Sequence, residues 1–418
     1  MSGKKDGVLR VNPGVLLLVC AAVAVVFASV PWGGWFERMW EAHIDVHAGG
    51  FVLDMSVRHW VNDALMAVFF FVVGLEIKRE MLFGQLSSLK KSALPVFAAV
   101  GGMLVPALVY LGFNGGRPEY AHGWGIPMAT DIAFAIGVLS LLGSRVPLGV
   151  KVFLTALAIV DDLGAIVVLA VFYPTHALHV DFLAYAAVVL VVLGLFNRLK
   201  VGNKWLYLVP GVLLWYFVLR SGVHATIAGV LLALVIPARG REDSLMARLE
   251  HRLQPVVNYG IMPVFALANA GVALNFSRLF DGGMASVSLG IFLGLFVGKP
   301  LGIFLFSFLG IRLGLADKPE GITWRQLVAA GMLGGIGFTM SIFINNLAFT
   351  EEALVDVGKI SILVTSVVAA VAGLVAMRLA CKPFREDHKD NFNTGVFPVC
   401  SRIKFGSTQV QVWFNFGL

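Results

Sequence analysis

Three aspartates stand inside otherwise apolar stretches: Asp131 in GIPMATDIAFAIGVLSLLG, and Asp161 with Asp162 in KVFLTALAIVDDLGAIVVLAVFY. Each stretch is long enough to cross a bilayer, which sets the acids near its middle. A carboxylate there costs at least ~2.5–3.5 kcal/mol on insertion scales, so intramembrane acids are retained where they are used. An acid in that position can do two reversible things: take up a proton or hold a cation. A chain with three of them is suited to exchanging one for the other.

Lys299, in IFLGLFVGKPLGIF, is the one basic residue expected at the same depth. It can offset a carboxylate or a cluster of helix C-terminal ends, and a buried lysine can also take part in proton transfer. Asp161 and Asp162 are neighbours on a helix, so they point about 100° apart and cannot face the same point. One division of labour has one of them bind a cation with Asp131 while the other pairs with Lys299. A purely structural salt bridge would need one acid and leave two unexplained. Hard cations such as Na⁺ take oxygen ligands. Thr130 and unwound backbone carbonyls would supply neutral ones.

Two elements must position these groups. The fourth expected span is broken near its centre at Met128-Ala129-Thr130-Asp131, just after Pro127. The eleventh carries Gly331, Gly334, Gly335 and Gly337 in AAGMLGGIGFTMSIF. Glycine at that density disfavours helix, and unwound backbone at membrane depth survives only facing protein or water. Two interrupted helices seven spans apart predict an inverted repeat, spans 3–5 against spans 10–12, crossing at the midplane. The competing reading of the eleventh span is a Gly-rich helix that merely packs tightly.

Composition agrees with this arrangement. Of 418 residues, 58% are hydrophobic and 14% charged, with a mean hydropathy of +0.84. That is an all-α polytopic membrane protein with about twelve transmembrane helices and no separate soluble domain. The spans are predicted at roughly 13–30, 58–83, 93–113, 121–143, 149–173, 181–198, 204–219, 221–236, 247–271, 286–309, 325–348 and 355–381. The net charge of +7 does not point to nucleic acid. Lys4, Lys5, Arg10, Lys78, Arg79, Lys90, Lys91, Arg198, Arg241, Arg312 and the cluster from Arg378 onward fall on one side of these spans; few basic residues fall on the other. The positive-inside rule then sets both termini in the cytoplasm. Cys20, Cys381 and Cys400 show no disulfide or metal spacing. No phosphate-cradling glycine loop is present, so a gradient is the expected energy source.

The first external loop carries HIDVHAGGFVLDMSV, whose alternation about Gly49-Gly50 predicts a small β-hairpin at about 43–57. Such a hairpin is marginal alone. It either pairs with the hairpin of a second subunit or forms an ordered surface loop. The membrane domain is expected over residues 1–383. The tail, 384–418, has no helical period and no assigned role; it is expected to be disordered or foreign to the functional protein.

The segments WVNDALMAVFFFVVGLEIKREM, MATDIAFAIGVLSLLG, LTALAIVDDLGAIVV, SGVHATIAGV, LEHRLQPVVNYGIMPVFALANAGV, GKPLGIF and GGIGFTMSIFI closely resemble the NhaA family of bacterial Na⁺/H⁺ antiporters, from about residue 10 to 382. The resemblance implies that the cation site falls on Asp131 and Asp162 with Thr130 beside it, and that Asp161 faces Lys299. It implies a twelve-span inverted-repeat fold in a homodimer whose hairpins pair across the outer face. It also implies that Glu76, Arg79, Glu80, Glu250 and His251 line a cytoplasmic funnel linked to pH activation; the residues alone read equally as anchors and salt-bridged helix ends. Gln254 stands where some members carry a second histidine, which weakens any histidine-cluster reading. His224 is either a satisfied buried histidine or a pH-tuning one. Asp63, near the outer end of the second span, suits a structural contact or the outward path.

The function expected is that of a secondary antiporter of the bacterial inner membrane rather than an enzyme. It would need no cofactor, with Na⁺, Li⁺ and H⁺ as cargo and membrane lipid as solvent. It would be electrogenic, activated at alkaline pH, and serve Na⁺ and pH homeostasis. A Na⁺-coupled symporter would need a further solute pocket. A channel or scaffold would have no reason for paired midplane acids.

Overall fold

The computed structural model describes residues 12–31, 33–48, 51–173, 178–238, 244–274, 276–280, 282–319, 321–381, 403–405 and 408–410. Residues Met1–Cys381 form one unit and Lys382–Leu418 a second.

The first unit is a bundle of apolar helices. Among the described residues, six helices are long and apolar enough to cross a membrane, or up to nine if each bent pair counts as one span. The six are Val57–Phe83, Ser92–Asn114, Leu148–Phe172, Val180–Arg198, Met284–Arg312 and Glu352–Ala380. Four further helical regions coincide with expected spans but are shorter or interrupted. These are Pro13–Ser29, Trp205–Arg220, Ile227–Val235, and the run Leu245–Val256 to Met262–Asn269 with a π-turn between. The eighth expected span differs most: Ser221 to Thr226 are turns, because Gly222 takes a positive φ of 86° that only glycine adopts without cost. The helix starts only at Ile227.

Local chemistry sets several ends. Asn12 caps the first helix by accepting from the Gly14 amide at 2.9 Å, with Pro13 in the first turn. Thr323 and Gln326 cap each other's backbone at the start of Trp324–Gly334. Lys78 Nζ donates to the carbonyls of Leu234 (2.5 Å) and Ile236 (2.6 Å), closing the C-terminal end of Ile227–Val235.

The two interrupted helices are real breaks. Pro118–Met128 meets Ile132–Ser140 at a bend of 44°, and Trp324–Gly334 meets Phe338–Ala348 at 47°. Each lies in sequence between two long helices: Leu89–Asn114 and Leu148–Phe172 for the first, Met284–Arg312 and Glu352–Ala380 for the second. Leu89–Asn114 packs along Lys299–Arg312. The two backbones meet tightly at Gly101 and Gly302. A Cβ on Gly101 would sit 2.2 Å from the Gly302 carbonyl, and one on Gly302 would sit 2.1 Å from the Gly101 carbonyl. Only glycine fits, and the contact carries Lys299, one turn away, against the bundle interior.

The predicted hairpin forms. His43–Ala48 pairs antiparallel with Phe51–Ser56, in register His43 with Ser56 and Ala48 with Phe51. Its Gly49-Gly50 turn lies outside the described residues. His43 Nδ1 and Asp54 Oδ1 are 2.5 Å apart across the strands. That hydrogen bond and the Asp54 charge hold the exposed His43 above its ordinary pKa. In the second unit, Ile403–Phe405 pairs antiparallel with Thr408–Val410. The remaining tail residues, and Lys4, Lys5, Arg10 and Arg241 of the predicted basic side, lie outside the described residues.

Candidate functional site

At the crossing of the broken helices, four half-helix ends converge, and each meets a group of opposite sign. Met128, the last residue of its half-helix, presents a carbonyl to Lys299 Nζ. The Gly334 carbonyl ends the other C-terminal half and lies 2.9 Å from Thr130 Oγ1. These carbonyls carry partial negative charge, so a cation and a hydroxyl donor suit them. The two N-terminal ends share Asp131. Its Oδ1 accepts from the Phe134 amide at 3.0 Å. Its Oδ2 accepts from the Thr339 amide at 3.2 Å and the Thr339 hydroxyl at 2.5 Å. One carboxylate therefore caps both Ile132–Ser140 and Phe338–Ala348. The Asp131 amide also donates to the Ile336 carbonyl at 2.7 Å, tying one break to the other.

Asp161 belongs to the same network. Its Oδ2 accepts from Lys299 Nζ at 2.7 Å and lies 2.7 Å from Thr130 Oγ1. Thr130 has one hydroxyl proton, so it donates to Asp161 or to Gly334, not to both at once. Asp161 Oδ1 is buried with no hydrogen-bond partner. Asp131, Asp161 and Lys299 are each 1% exposed. The ion pair is thus fully desolvated, and removing either partner strands the other.

Asp162 is different. It is 4% exposed, yet it makes no hydrogen bond or ion pair with any described residue. The 100° between neighbouring helix positions turns it away from Lys299 and into a cavity of about 50 Å³. Asp131 and Thr130 line the same cavity, as do Glu76, Gln254 and Asn258. One water needs only ~10–15 Å³ on such a measure, so the space admits a small cation with some of its water. A carboxylate with no fixed donor is available to whichever positive species arrives.

The expected pH-response residues do not form one cluster. Arg79 bridges Glu80 at 3.2 Å and Glu250 at 3.3 Å, and these charges act electrostatically on Glu76. His251 is exposed. His224 is buried elsewhere, with Nδ1 unpartnered, in the turn before Ile227–Val235 and within electrostatic reach of Asp63. Asp63 in turn pairs with His59 at 2.9 Å.

Sequence reasoning missed Thr339, Asn258 and the carbonyl role of Met128. Thr339 lies two residues past Gly337, at the start of a half-helix where a hydroxyl finds a neighbouring anion. Asn258 is an isolated amide in an apolar run, a signal that was available.

A family model described as Na⁺/H⁺ antiporter 1 matches residues 9–377. Similar chains include the Na(+)/H(+) antiporter NhaA 2 of Flavobacterium johnsoniae, 52% identical over 365 residues, covering 87% of this chain and 89% of the relative. The NhaA 1 antiporter of Clostridium beijerinckii is 47% identical over 376 residues, covering 88% and 92% respectively. The NhaA antiporter of Escherichia coli is 50% identical over 374 residues, covering 88% and 96%.

Proposed function

Since the chain belongs to the NhaA family of Na⁺/H⁺ antiporters, we propose that it exports Na⁺, and Li⁺, from the bacterial cytoplasm in exchange for entering protons. The observation that carries this reading furthest is Asp162: buried, without a hydrogen-bonding partner among the described residues, and on a cavity it shares with Asp131 and Thr130. Such a carboxylate must be neutralised by something mobile, and a proton and a hard cation compete for the same oxygens.

In the cycle, the deprotonated site takes Na⁺ from the cytoplasmic side. Asp162 supplies the charge, Asp131 a second carboxylate and Thr130 a neutral oxygen. The broken helices and their neighbours then shift to expose the site outward. The shift is inexpensive in backbone terms because the unwound residues 129–131 and 335–337 are where dihedral change is absorbed. Protons displace the cation, and the protonated site returns. Asp161 and Lys299 stay paired and hold the Met128 half-helix end. If more protons than cations move per cycle, the membrane potential contributes ~2.3 kcal/mol per charge per 100 mV.

This reading includes twelve crossings with both termini cytoplasmic, and the two long–broken–long triplets as inverted repeats. It includes a homodimer joined through the external hairpin, whose strand edges have no strand partner among the described residues. Competition makes exchange low in acid and high at alkaline pH, with Arg79, Glu80, Glu250 and Glu76 as the group that tunes the response. The test is proton-flux dequenching in everted vesicles on adding Na⁺, Li⁺ or K⁺ across a pH series. Na⁺ and Li⁺ should each trigger flux, rising with pH. Flux of equal size with K⁺, or none with Na⁺, would contradict the proposal.

A further inference from the structure

Within the cavity beside the crossing, the side chains that lack partners are not scattered. Asp162, Glu76, Gln254 and Asn258 all line one space, and none of their side chains makes a hydrogen bond or ion pair with a described residue. Asp131 and Thr130, which also line it, and Lys299 at the crossing are hydrogen-bonded. Asp162 is buried while Glu76, Gln254 and Asn258 are half-buried on the same wall; a buried carboxylate left open beside such oxygens marks a ligand position.

Gln254 sits near the end of the α-helix Leu245–Val256, and Asn258 sits in irregular backbone just past it. Residues Val257–Ile261 form a π-turn, closed by the Met262 amide donating to the Val257 carbonyl. Pro255 and Pro263 flank this turn, and proline has no amide proton to give. The extra residue of a π-turn re-aims the side chains around it, and such turns recur at functional sites. Asn258 lies four residues after Gln254, so both amides fall on one helix face, and Glu76 of Val57–Phe83 lines the same cavity.

We infer that Gln254, Asn258 and Glu76 form a second subsite for a partly hydrated monovalent cation, in the cavity they share with Asp162. The inference rests on the antiporter reading and extends it. The two amide carbonyls replace part of the ion's water, and Glu76 offsets its charge before the ion passes to Asp162. Neutral amide oxygens make this the step at which ions are sorted by their hydration, Na⁺ against the smaller and more strongly hydrated Li⁺. The fixed number of protein oxygens suits one ion size better than another.

The experiment uses the full chain in everted vesicles, with Na⁺ and Li⁺ as probes. Gln254→Leu combined with Asn258→Leu should raise the apparent KM for Na⁺ roughly tenfold or more and change the ratio of Na⁺ to Li⁺ KM, while the maximal rate falls much less. Asn258→Ser, which keeps an oxygen, should restore part of the Na⁺ affinity. If the leucine pair does not insert, Asn258→Ala and Asn258→Ser alone carry the comparison. Asp162→Asn is the control for the reading beneath it. If Asp162→Asn abolishes exchange while every Gln254 and Asn258 variant keeps native KM values and the native ion ratio, the subsite is rejected and the antiporter reading stands. If Asp162→Asn exchanges normally, the site reading itself has failed.

Discussion

The crossing of the broken helices and the cavity beside it hold the same kinds of side chain in opposite conditions. At the crossing, Asp131 accepts three hydrogen bonds, and Lys299 is shared between Asp161 and the Met128 carbonyl. In the cavity, Asp162, Glu76, Gln254 and Asn258 accept and donate nothing within the described protein. The two regions touch through Asp131 and Thr130, which belong to both. A charge that the fold satisfies stabilises architecture; a charge that it leaves open is available to a passenger. Asp161 and Asp162 are consecutive in sequence and fall on opposite sides of this division.

The largest expected contrast is between two conservative changes. Asp162→Asn should bring Na⁺-driven proton flux to background with no loss of thermal stability in detergent, because it neutralises a charge that no described residue pairs or hydrogen-bonds. Asp131→Asn should also suppress flux, but at a stability cost of about 1.5–3 kcal/mol, since hydrogen bonds from two helix ends to a carboxylate are weakened. Flux assays and thermal melts of the same preparations make the comparison. Equal stability of the two variants would erase the distinction between the regions.

Next in size is the ion pair. Lys299→Ala leaves Asp161 buried and unpaired, at a cost of about 3–5 kcal/mol, and frees the Met128 carbonyl as well. Adding Asp161→Asn should recover part of the loss. A double variant that melts no higher than Lys299→Ala would remove Asp161 from the satisfied side. A smaller effect is expected at the helix contact that seats Lys299. Gly101→Ala should cost about 1–3 kcal/mol by overpacking, and Gly112→Ala, where an added Cβ meets nothing within 4 Å, should cost none.

Much of this was legible in the sequence, and the reason is physical. Intramembrane acids, a lone lysine and glycine-rich breaks are costly in lipid, so each one stands out against an apolar background. The Asp161–Lys299 pair is one of the alternatives that helix geometry alone allows. The partners of Asp131 could not. Thr339 is 208 positions away, and nothing local distinguishes its hydroxyl from the other serines and threonines of the chain. Of the spans expected from the charge pattern, six to nine meet the length and hydropathy of a crossing among the described residues. Short helices such as Ile227–Val235 are stabilised by neighbours and by Lys78 rather than by their own length. Asn258 stood out as an isolated amide in an apolar run, but the π-turn around it leaves no periodic signature to say which way it faces.

The smallest expected effect lies at the hairpin, far from either region. The Asp54 hydrogen bond raises the His43 pKa above ~6.5 in the fold. Its stabilisation is therefore present below ~6.5 and is lost as pH rises through the raised value. Amide exchange across His43–Ala48 and Phe51–Ser56 should quicken slightly on going alkaline in the native chain, beyond the intrinsic rate change, and not in His43→Gln. Exchange activity should be the same in both.

The central claim is that one open carboxylate takes either a proton or a cation. The most direct test is to count protons released when Na⁺ binds the purified protein, across a pH series, for the native chain and for Asp162→Asn. Release in the native chain that fades as pH rises, with none in Asp162→Asn, is the predicted result. Na⁺ binding of native affinity with no proton release at any pH would contradict it.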